Sequence, residues 1–156
     1  MDNQTTLINV LTFRIGDEHY AANVLDIHEV VQATGDIVPV PGAPERVLGV
    51  MNLRGNVITV LDLRQVVGLP PEKDQARPII VGHIDSHTVG LMVDEVATVT
   101  EIDPNHIEPP PELGRSGGQG LVKGLIHRGG TLYLVIELSA LPVSERELTL
   151  KEPATT

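Results

Sequence analysis

The sequence predicts a mostly β protein made of two similar lobes with about five strands each. Three observations favour this fold class. Hydrophobic residues make up 41% of the 156 residues but aromatic residues only 2%, so the core must consist of Val, Leu and Ile, which are typical of strands. The chain contains 15 Gly and 12 Pro, as expected where many strands are joined by turns. Finally, the second half of the chain repeats the residue pattern of the first.

The N-terminal part of the chain predicts a hairpin and then an irregular turn. Apolar runs at 7–15 and 19–24 flank the turn sequence Gly16-Asp17-Glu18, which indicates two paired strands. The segment 24–31 mixes helical and alternating spacing, so it predicts a short turn that runs into a strand. Three prolines within 38–44 exclude a central strand there and favour extended chain.

The stretch 47–64, VLGVMNLRGNVITVLDLR, predicts a second hairpin on which the rest of the chain is organised. Its flanks are rich in Val, Ile and Leu, and Arg54-Gly55-Asn56 reads as the turn, where Gly55 can adopt φ > 0. Arg54 cannot lose its charge. Close to the apolar strands it needs a carboxylate or carbonyl partner, whereas in an exposed turn it needs none, and the rarity of buried charges favours the exposed position.

The second half of the chain predicts the same order of elements. Asp103-Pro104 predicts a capped helix of about one turn, because prolines follow at 109–111. GRSGGQG at 114–120 predicts a flexible loop, and Ser144 to Glu147 fits a capping box for a short C-terminal helix. The predicted strands lie at 78–84, 88–93, 121–127 and 132–138.

The repeat becomes explicit when the sequence is shifted against itself. A shift of 69 places Val24, Ile27 and Val30 on Val93, Val96 and Val99. A shift of 75 places Gly49, Gly55, Val60 and Asp62 on Gly124, Gly130, Val135 and Glu137. We therefore expect two lobes, from the approximate halves 7–71 and 78–141, that share an apolar seam and close into small barrels, with strand exchange between the halves left open. The ends, 1–6 and 152–156, are expected to be flexible.

Composition excludes several classes of function. The net charge of −10 and the scarcity of aromatic residues argue against a nucleic-acid partner, which requires a basic surface and stacking side chains. The same charge disfavours an anionic membrane surface. No apolar stretch is long enough to cross a membrane, and no basic segment precedes an apolar run at the start of the sequence, so we expect a cytoplasmic protein without direct membrane insertion. The absence of Cys excludes disulfides and thiolate sites.

No motif predicts catalysis, a metal site or a cofactor. His83 and His87 straddle a predicted strand and turn, where their spacing does not converge on a metal. GRSGGQG lacks the ending of a phosphate-binding loop. Asp94-Glu95 reads as a solvated turn rather than an acid–base pair, and the equivalent positions of Asp62 and Glu137 indicate a repeated structural role. A small-ligand-binding or enzymatic β-barrel remains an alternative of another class.

Five apolar residues lie just after the second strands of the two halves. These are Ile27 and Val30 in the first half and Val93, Val96 and Val99 in the second. The favoured interpretation is that they line the shared core. The alternative is that some of them line a groove between the lobes that a partner helix can enter.

The order of motifs resembles that of the CheW family of bacterial chemotaxis coupling proteins. The motifs are GDE between two strands, then DIHEV, VPVPGAP, GVMNLRGNVITVLDLR, VGLMVDEV, DPNHIEPPPE and LVKGL, and the resemblance extends from about residue 7 to 141. One difference is Thr59, where such proteins usually carry a proline. The resemblance implies two five-stranded SH3-like barrels packed together and an adaptor without catalysis or cofactor.

The resemblance also implies partners and binding residues. Such proteins bridge the cytoplasmic tip of a methyl-accepting chemotaxis receptor to the regulatory domain of the histidine kinase CheA, in arrays at the membrane; a related system such as type IV pilus-based motility is the alternative. NLRG places the motif arginine on Arg54, and DIHEV places its acidic partner on Glu29, which favours a paired Arg54. The expected receptor- or kinase-binding residues are Arg54, Glu29, Ile27, Val30, Gly49, Asn52, Leu53, Gly55, Val93, Val96 and Val99.

Overall fold

The structure is a computed structural model that describes residues 6–32, 37–72, 77–110 and 121–149, and these ranges contain ten strands. The strands are β1 Ile8–Ile15, β2 Glu18–Asn23, β3 Ile27–Gln32, β4 Val47–Leu53, β5 Asn56–Asp62, β6 Pro78–Ile84, β7 His87–Met92, β8 Glu95–Ile102, β9 Val122–Arg128 and β10 Thr131–Ile136. The helical elements are α1 Leu63–Val66, α2 Glu145–Leu148 and the 3₁₀ turns Val24–Asp26, Pro104–His106 and Leu138–Ala140.

The strands form two five-stranded sheets of the same order, which confirms the predicted fold class. Sheet A runs β8-β1-β2-β10-β9 and sheet B runs β3-β6-β7-β5-β4. Each sheet therefore takes strands from both halves of the chain, and we call the two units lobe A and lobe B. The registers also correspond: Leu11 pairs with Val99 in sheet A, and Ile80 pairs with Val30 in sheet B. These pairs differ by the shift of 69, so the repeat found in the sequence is a repeat of structure.

The pattern of apolar residues located most elements to within one or two residues. The strand expected at 78–84 is β6, the hairpin at 47–64 is β4 and β5, and the capping box at Ser144 and Glu147 is formed. β8 was not predicted as a strand, because Asp94-Glu95 at its start resembles a turn. Leu63 and Arg64, the last two residues of the hairpin stretch expected at 47–64, belong instead to α1. The Asp62 carboxylate caps this helix by accepting a hydrogen bond from the Arg64 amide at 3.1 Å.

Some predictions lie outside the described residues. These are the loop at 114–120, the C-terminal end 152–156 and all of the N-terminal end except Thr6.

The described residues form three apolar cores. One core lies inside each lobe, and a third, larger core containing Phe13, Leu61 and Leu91 is shared by both sheets. The interior of lobe B receives Val31, Met51, Val60, Val81 and Met92, one from each of its five strands. The interior of lobe A likewise receives Ile102, Val10, Ala21, Tyr133 and Ile126. A sheet whose five strands all face one cluster is curled around it, and the shared core is the apolar seam expected between the lobes.

Close backbone approach requires glycine at two equivalent positions. Beyond the outer strands β4 and β9, Val38 bridges to Val50 and Glu108 bridges to Leu125. A Cβ atom at Gly49 would overlap the carbonyl oxygen of Val38, and one at Gly124 would lie 2.7 Å from the carbonyl oxygen of Glu108. Gly49 is buried and has φ of 144°, so its role is to admit the crossing segment.

We expect Gly124→Ala to destabilise the fold by about 2 kcal/mol or more, because the new methyl group overlaps the Ile107 side chain and the Glu108 backbone. The backbone of Gly124 is not in the left-handed region, so the loss reports the contact alone. Urea unfolding followed by circular dichroism measures it. Lys123→Ala, at an exposed position of the same strand, is the control and should change stability by less than about 0.5 kcal/mol. Equal stabilities of the two variants would contradict the steric explanation.

Asp94 joins the two lobes through a buried ion cluster, so its interpretation as a solvated turn is wrong. Its carboxylate accepts hydrogen bonds from the Gly16 amide at 2.7 Å, from Arg64 Nη1 at 2.6 Å and from Arg77 Nη1 at 3.0 Å. The three side chains are 7 to 11% exposed. Gly16 belongs to the β1–β2 turn of lobe A, whereas Arg64 and Arg77 follow β5 and precede β6 of lobe B. Burial raises the pKa of Asp94, but the Gly16 amide and the two guanidinium groups outweigh it and hold that pKa below its ordinary value.

A second ion pair fastens α2 to the start of β4. Arg46 donates to the Glu147 carboxylate through Nε at 2.9 Å and Nη2 at 2.8 Å, and the Ser144 amide donates to the same carboxylate at 2.8 Å. The Arg46 hydrogen bonds, opposed by burial and helped by Ser144, hold the pKa of Glu147 below its ordinary value. Since Leu148 enters the shared core, the C-terminal helix is part of the folded unit.

Candidate functional site

The turn between β4 and β5 presents Arg54 at the surface. Arg54 has φ of 53° and Gly55 has φ of 90°, the backbone required by a two-residue hairpin turn whose twist matches its strands. The Asn52 side chain accepts a hydrogen bond from the Gly55 amide at 2.8 Å and fixes this shape. The predicted turn is therefore present, and three of the expected binding residues, Asn52, Arg54 and Gly55, build it together.

Arg54 is both exposed and paired. Its Nη1 lies 3.1 Å from Glu29 Oε2 and its Nη2 lies 3.0 Å from Glu29 Oε1, which is a two-pronged guanidinium–carboxylate contact. The Arg54 side chain is 71% exposed and the Glu29 side chain 18%. Arg54 therefore has one feature of each alternative that the sequence left open: it is exposed, and it has a carboxylate partner. His28 Nε2 lies 3.5 Å from the same carboxylate.

The ion pair connects the two edges of sheet B. Glu29 lies on β3, the first strand in the sheet order, and Arg54 lies at the tip of the last two strands, β5 and β4. In a flat sheet three to four strand spacings of about 4.8 Å would separate these residues, which is more than two side chains can span. The contact therefore depends on the curl of lobe B, and it in turn holds the β4–β5 turn against β3.

The expected apolar binding residues divide into exposed and buried groups. Val30 is 40% exposed and Val99 is 56% exposed. Ile27 and Val96 are half-buried and pack against the shared core. Val93 has 0% exposure, so for this residue the core interpretation holds.

The expected apolar binding residues on strands β3 and β8 belong to different sheets. Ile27 and Val30 belong to β3 of lobe B, whereas Val96 and Val99 belong to β8 of lobe A. Leu53 is half-buried against the interior of lobe B, and Gly49 is buried. Gly49 and Val93 therefore offer no surface to a partner.

Sequence reasoning missed an exposed valine beside the turn. Val57 pairs with Asn52 in the β4–β5 ladder and is 41% exposed. Its neighbours Ile58 and Val60 point into lobe B. Alternation along the strand would have indicated that Val57 faces outward. The exposed apolar surface next to Arg54 is thus larger than the expected residues suggested.

The surface around Arg54 carries charged and apolar groups. Within the described residues no group of three or more His, Asp or Glu side chains is placed to hold a metal ion. None of the helices in the described part of the chain has the length and hydropathy to cross a bilayer. The site offers one charged pair, a rigid turn and exposed valines, which are the components of a protein-recognition surface.

Comparison with known proteins gives consistent results. The CheW-like domain family matches residues 9–146. The chemotaxis protein CheW of Rhizobium meliloti is 32% identical over 140 residues, covering 88% of this chain and 90% of the relative. The chemotaxis protein CheW of Thermotoga maritima is 32% identical over 143 residues, covering 92% and 91%. Among solved structures, the scaffolding protein TtCheW from Thermoanaerobacter tengcongensis matches with a TM-score of 0.82 and 32% identity, over 94% of this chain and 100% of that chain.

Proposed function

This chain belongs to the CheW-like family of chemotaxis scaffold proteins, and on that premise we propose that it is a non-catalytic adaptor. It couples the cytoplasmic tip of methyl-accepting chemotaxis receptors to the regulatory domain of the histidine kinase CheA. Its location is then the cytoplasm, at receptor arrays to which its partners recruit it. The observation that supports this function most directly is the Arg54–Glu29 pair, which holds a charged turn in a defined position at the surface.

The receptor contact follows from the shape of the partner. A receptor tip is a helical hairpin, and a helix face needs an apolar surface with few hydrogen bonds. Val30 follows Glu29 on β3, where strand alternation turns its side chain to the other face, and Val57 lies beside the β4–β5 turn. Each exposed valine is therefore close along the chain to one member of the ion pair. Arg54 then provides orientation as well as affinity, because complementary charge fixes the register of the docked helix.

The kinase contact uses another part of the surface. We propose that the CheA regulatory domain, which is itself CheW-like, docks edge to edge through strand ends and loops of one lobe. Neither contact has to be tight, because many weak contacts in an array act together through their raised effective concentration. Signal transfer is a change in the relative geometry of the partners, and no covalent step is involved.

Co-purification tests the proposal. The tagged chain is mixed with the CheA regulatory domain and with a soluble receptor tip fragment from the same cell, first singly and then together. We expect each partner to be retained and a ternary complex to elute ahead of either pair in size-exclusion chromatography. Retention of a kinase from a pilus-based system instead would assign the chain to that pathway. Retention of neither partner would contradict the adaptor function.

A further inference from the structure

The internal repeat provides a comparison within one molecule. Because the two lobes share strand order and register, interior positions of lobe A can be compared with their described counterparts in lobe B. The interior of lobe B is closely filled, since Ile58, Val60, Ile79, Val81 and Met92 are at most 5% exposed and form one cluster. The corresponding cluster of lobe A contains four buried apolar residues, Val10, Ala21, Ile102 and Ile126, whereas that of lobe B contains six, although the backbone follows the same plan.

The difference lies in side chains that face the interior of lobe A. Polar side chains stand where lobe B carries large apolar ones. Thr12 corresponds to Val81, Thr100 to Val31, Arg128 to Leu53 and Tyr133 to Ile58. Two of the four changes introduce hydroxyl groups at threonine, one adds a phenol and one adds a permanent positive charge. A sequence selected only to fill a core would not carry this set.

These residues line a cavity of about 490 Å³ in lobe A. Its apolar part is made by Val10, Ala21, Ile102 and Ile126, which are all 5% exposed or less. Its polar part includes Arg128, Tyr133, Thr100 and Thr131. The volume falls within the range of small-molecule sites. Five of the ten lining residues carry polar side chains and four are apolar, so the cavity offers both hydrogen-bonding groups and an apolar wall.

Arg128 supplies the charge of the site. Among the described residues Arg14, Arg46, Arg54, Arg64 and Arg77 form ion pairs, and Arg128 forms none. In lobe B the carboxylate at the equivalent edge is Glu29, and its counterpart in lobe A is Thr98, which bonds to Thr12 and carries no charge. Arg128 is exposed and lines a partly apolar cavity that has no carboxylate among its lining residues, an arrangement that matches an anionic ligand group.

We propose that the cavity of lobe A binds a small organic monoanion with a short aliphatic body, such as a medium-chain carboxylate. Its tail lies against Val10, Ile102 and Ile126, and its carboxylate accepts hydrogen bonds from Arg128. Arg128 is the one charged side chain that lines the cavity, and one guanidinium matches one carboxylate, so the ligand carries one negative charge. This site is additional to the adaptor function and lies in the opposite lobe from the Arg54–Glu29 pair.

Hexanoate and hexan-1-ol, which share an aliphatic tail, are the probes. Each is titrated into the full chain while methyl NMR signals of Val10, Ile102 and Ile126 are followed. We expect saturable shifts of these signals with hexanoate and at least about tenfold weaker binding of hexan-1-ol, because the charged hydrogen bonds are lost. Arg128→Leu, which introduces the residue that lobe B carries, should weaken hexanoate binding by a similar factor. Lys123→Leu makes the same charge change on the same strand outside the cavity and should leave binding unchanged.

Three outcomes would overturn the proposal. The first is the absence of any shift at millimolar hexanoate. The second is equal binding of hexan-1-ol, or equal effects of Arg128→Leu and Lys123→Leu, since either result removes the role of the charge. The third is movement of the cavity signals by the CheA regulatory domain and not by hexanoate, which would assign the cavity to a protein side chain. Because co-purification with the kinase and receptor is measured separately, failure here leaves the adaptor function intact.

Discussion

Arg54→Glu is expected to lower the affinity for the receptor tip or the CheA regulatory domain by at least about a hundredfold, as removal of a close charge pair does at other interfaces. The new carboxylate faces Glu29 across the site of the present ion pair, so attraction between β3 and the β4–β5 turn becomes repulsion. Since Arg54 is 71% exposed, the fold should lose only about 1 kcal/mol or less and its circular dichroism should stay β-like. Calorimetric titration with each partner measures the change.

The charge-swapped double variant Arg54→Glu/Glu29→Arg is the matched control. It restores an ion pair between the same two positions but reverses the charge that is presented to solvent. If Arg54 acts by holding the turn against β3, the double variant recovers binding, whereas if Arg54 touches an acidic group of the partner it does not. Arg54→Lys keeps the charge without the two-pronged geometry and should fall between these cases. Wild-type affinity in Arg54→Glu itself would rule out both roles.

Asp94→Asn is expected to destabilise the protein by about 3 to 5 kcal/mol, the usual cost of removing one partner from a buried ion cluster. The Arg64 and Arg77 side chains are 11% and 7% exposed, so without the carboxylate both buried guanidinium groups lose their closest anionic partner. Each keeps a longer ion pair, Arg64 with Glu72 at 3.9 Å and Arg77 with Asp62 at 3.8 Å. The neighbouring Glu95→Gln is the control. Glu95 is 63% exposed and pairs with Arg14 at the surface, so its loss should cost less than about 1 kcal/mol. Urea unfolding at neutral pH gives both values, and similar midpoints for the two variants would contradict the role of the cluster.

The same cluster sets part of the acid stability. The folded pKa of Asp94 lies below its ordinary value, so its contribution to stability is fully present above the ordinary carboxyl range and is lost as pH falls below about 4. The pKa of Glu147 is also below its ordinary value. The Asp94→Asn variant keeps Glu147, so it retains some acid sensitivity. Unfolding free energies measured from pH 7 downwards should therefore fall less steeply for Asp94→Asn than for the wild type. Parallel curves would show that Asp94 titrates alike in the folded and unfolded chains.

The strands, turns and helix that the sequence predicted correctly are specified by residues close together in the chain. Apolar runs bounded by turn residues located β1, β2 and β6, and the Ser144–Glu147 capping box located α2. The hairpin turn was visible because a glycine follows a charged residue between two Val-rich strands. Each of these elements is specified by residues within about ten positions of one another, so pattern and propensity suffice to identify it.

The sequence predicted only part of the candidate site. The residues alone favoured an exposed Arg54, and only the resemblance to the CheW family indicated Glu29 as its partner. The misinterpretation of Asp94 has the same origin, because its partners Gly16, Arg64 and Arg77 are distant in sequence. Val57 was overlooked although strand alternation would have placed it outside.

By itself, the sequence determined nine of the ten described strands, most turns and the twofold repeat, because these depend on residue spacing that the chain carries locally. Tertiary structure alone decided that each sheet combines strands from both halves, that Glu29 meets Arg54 across the curl of lobe B, and that Arg128 and Tyr133 line a cavity of lobe A. Those outcomes depend on which distant segments pack together, and that choice is made by burial of the shared core, where side chains from both sheets leave water at the same time.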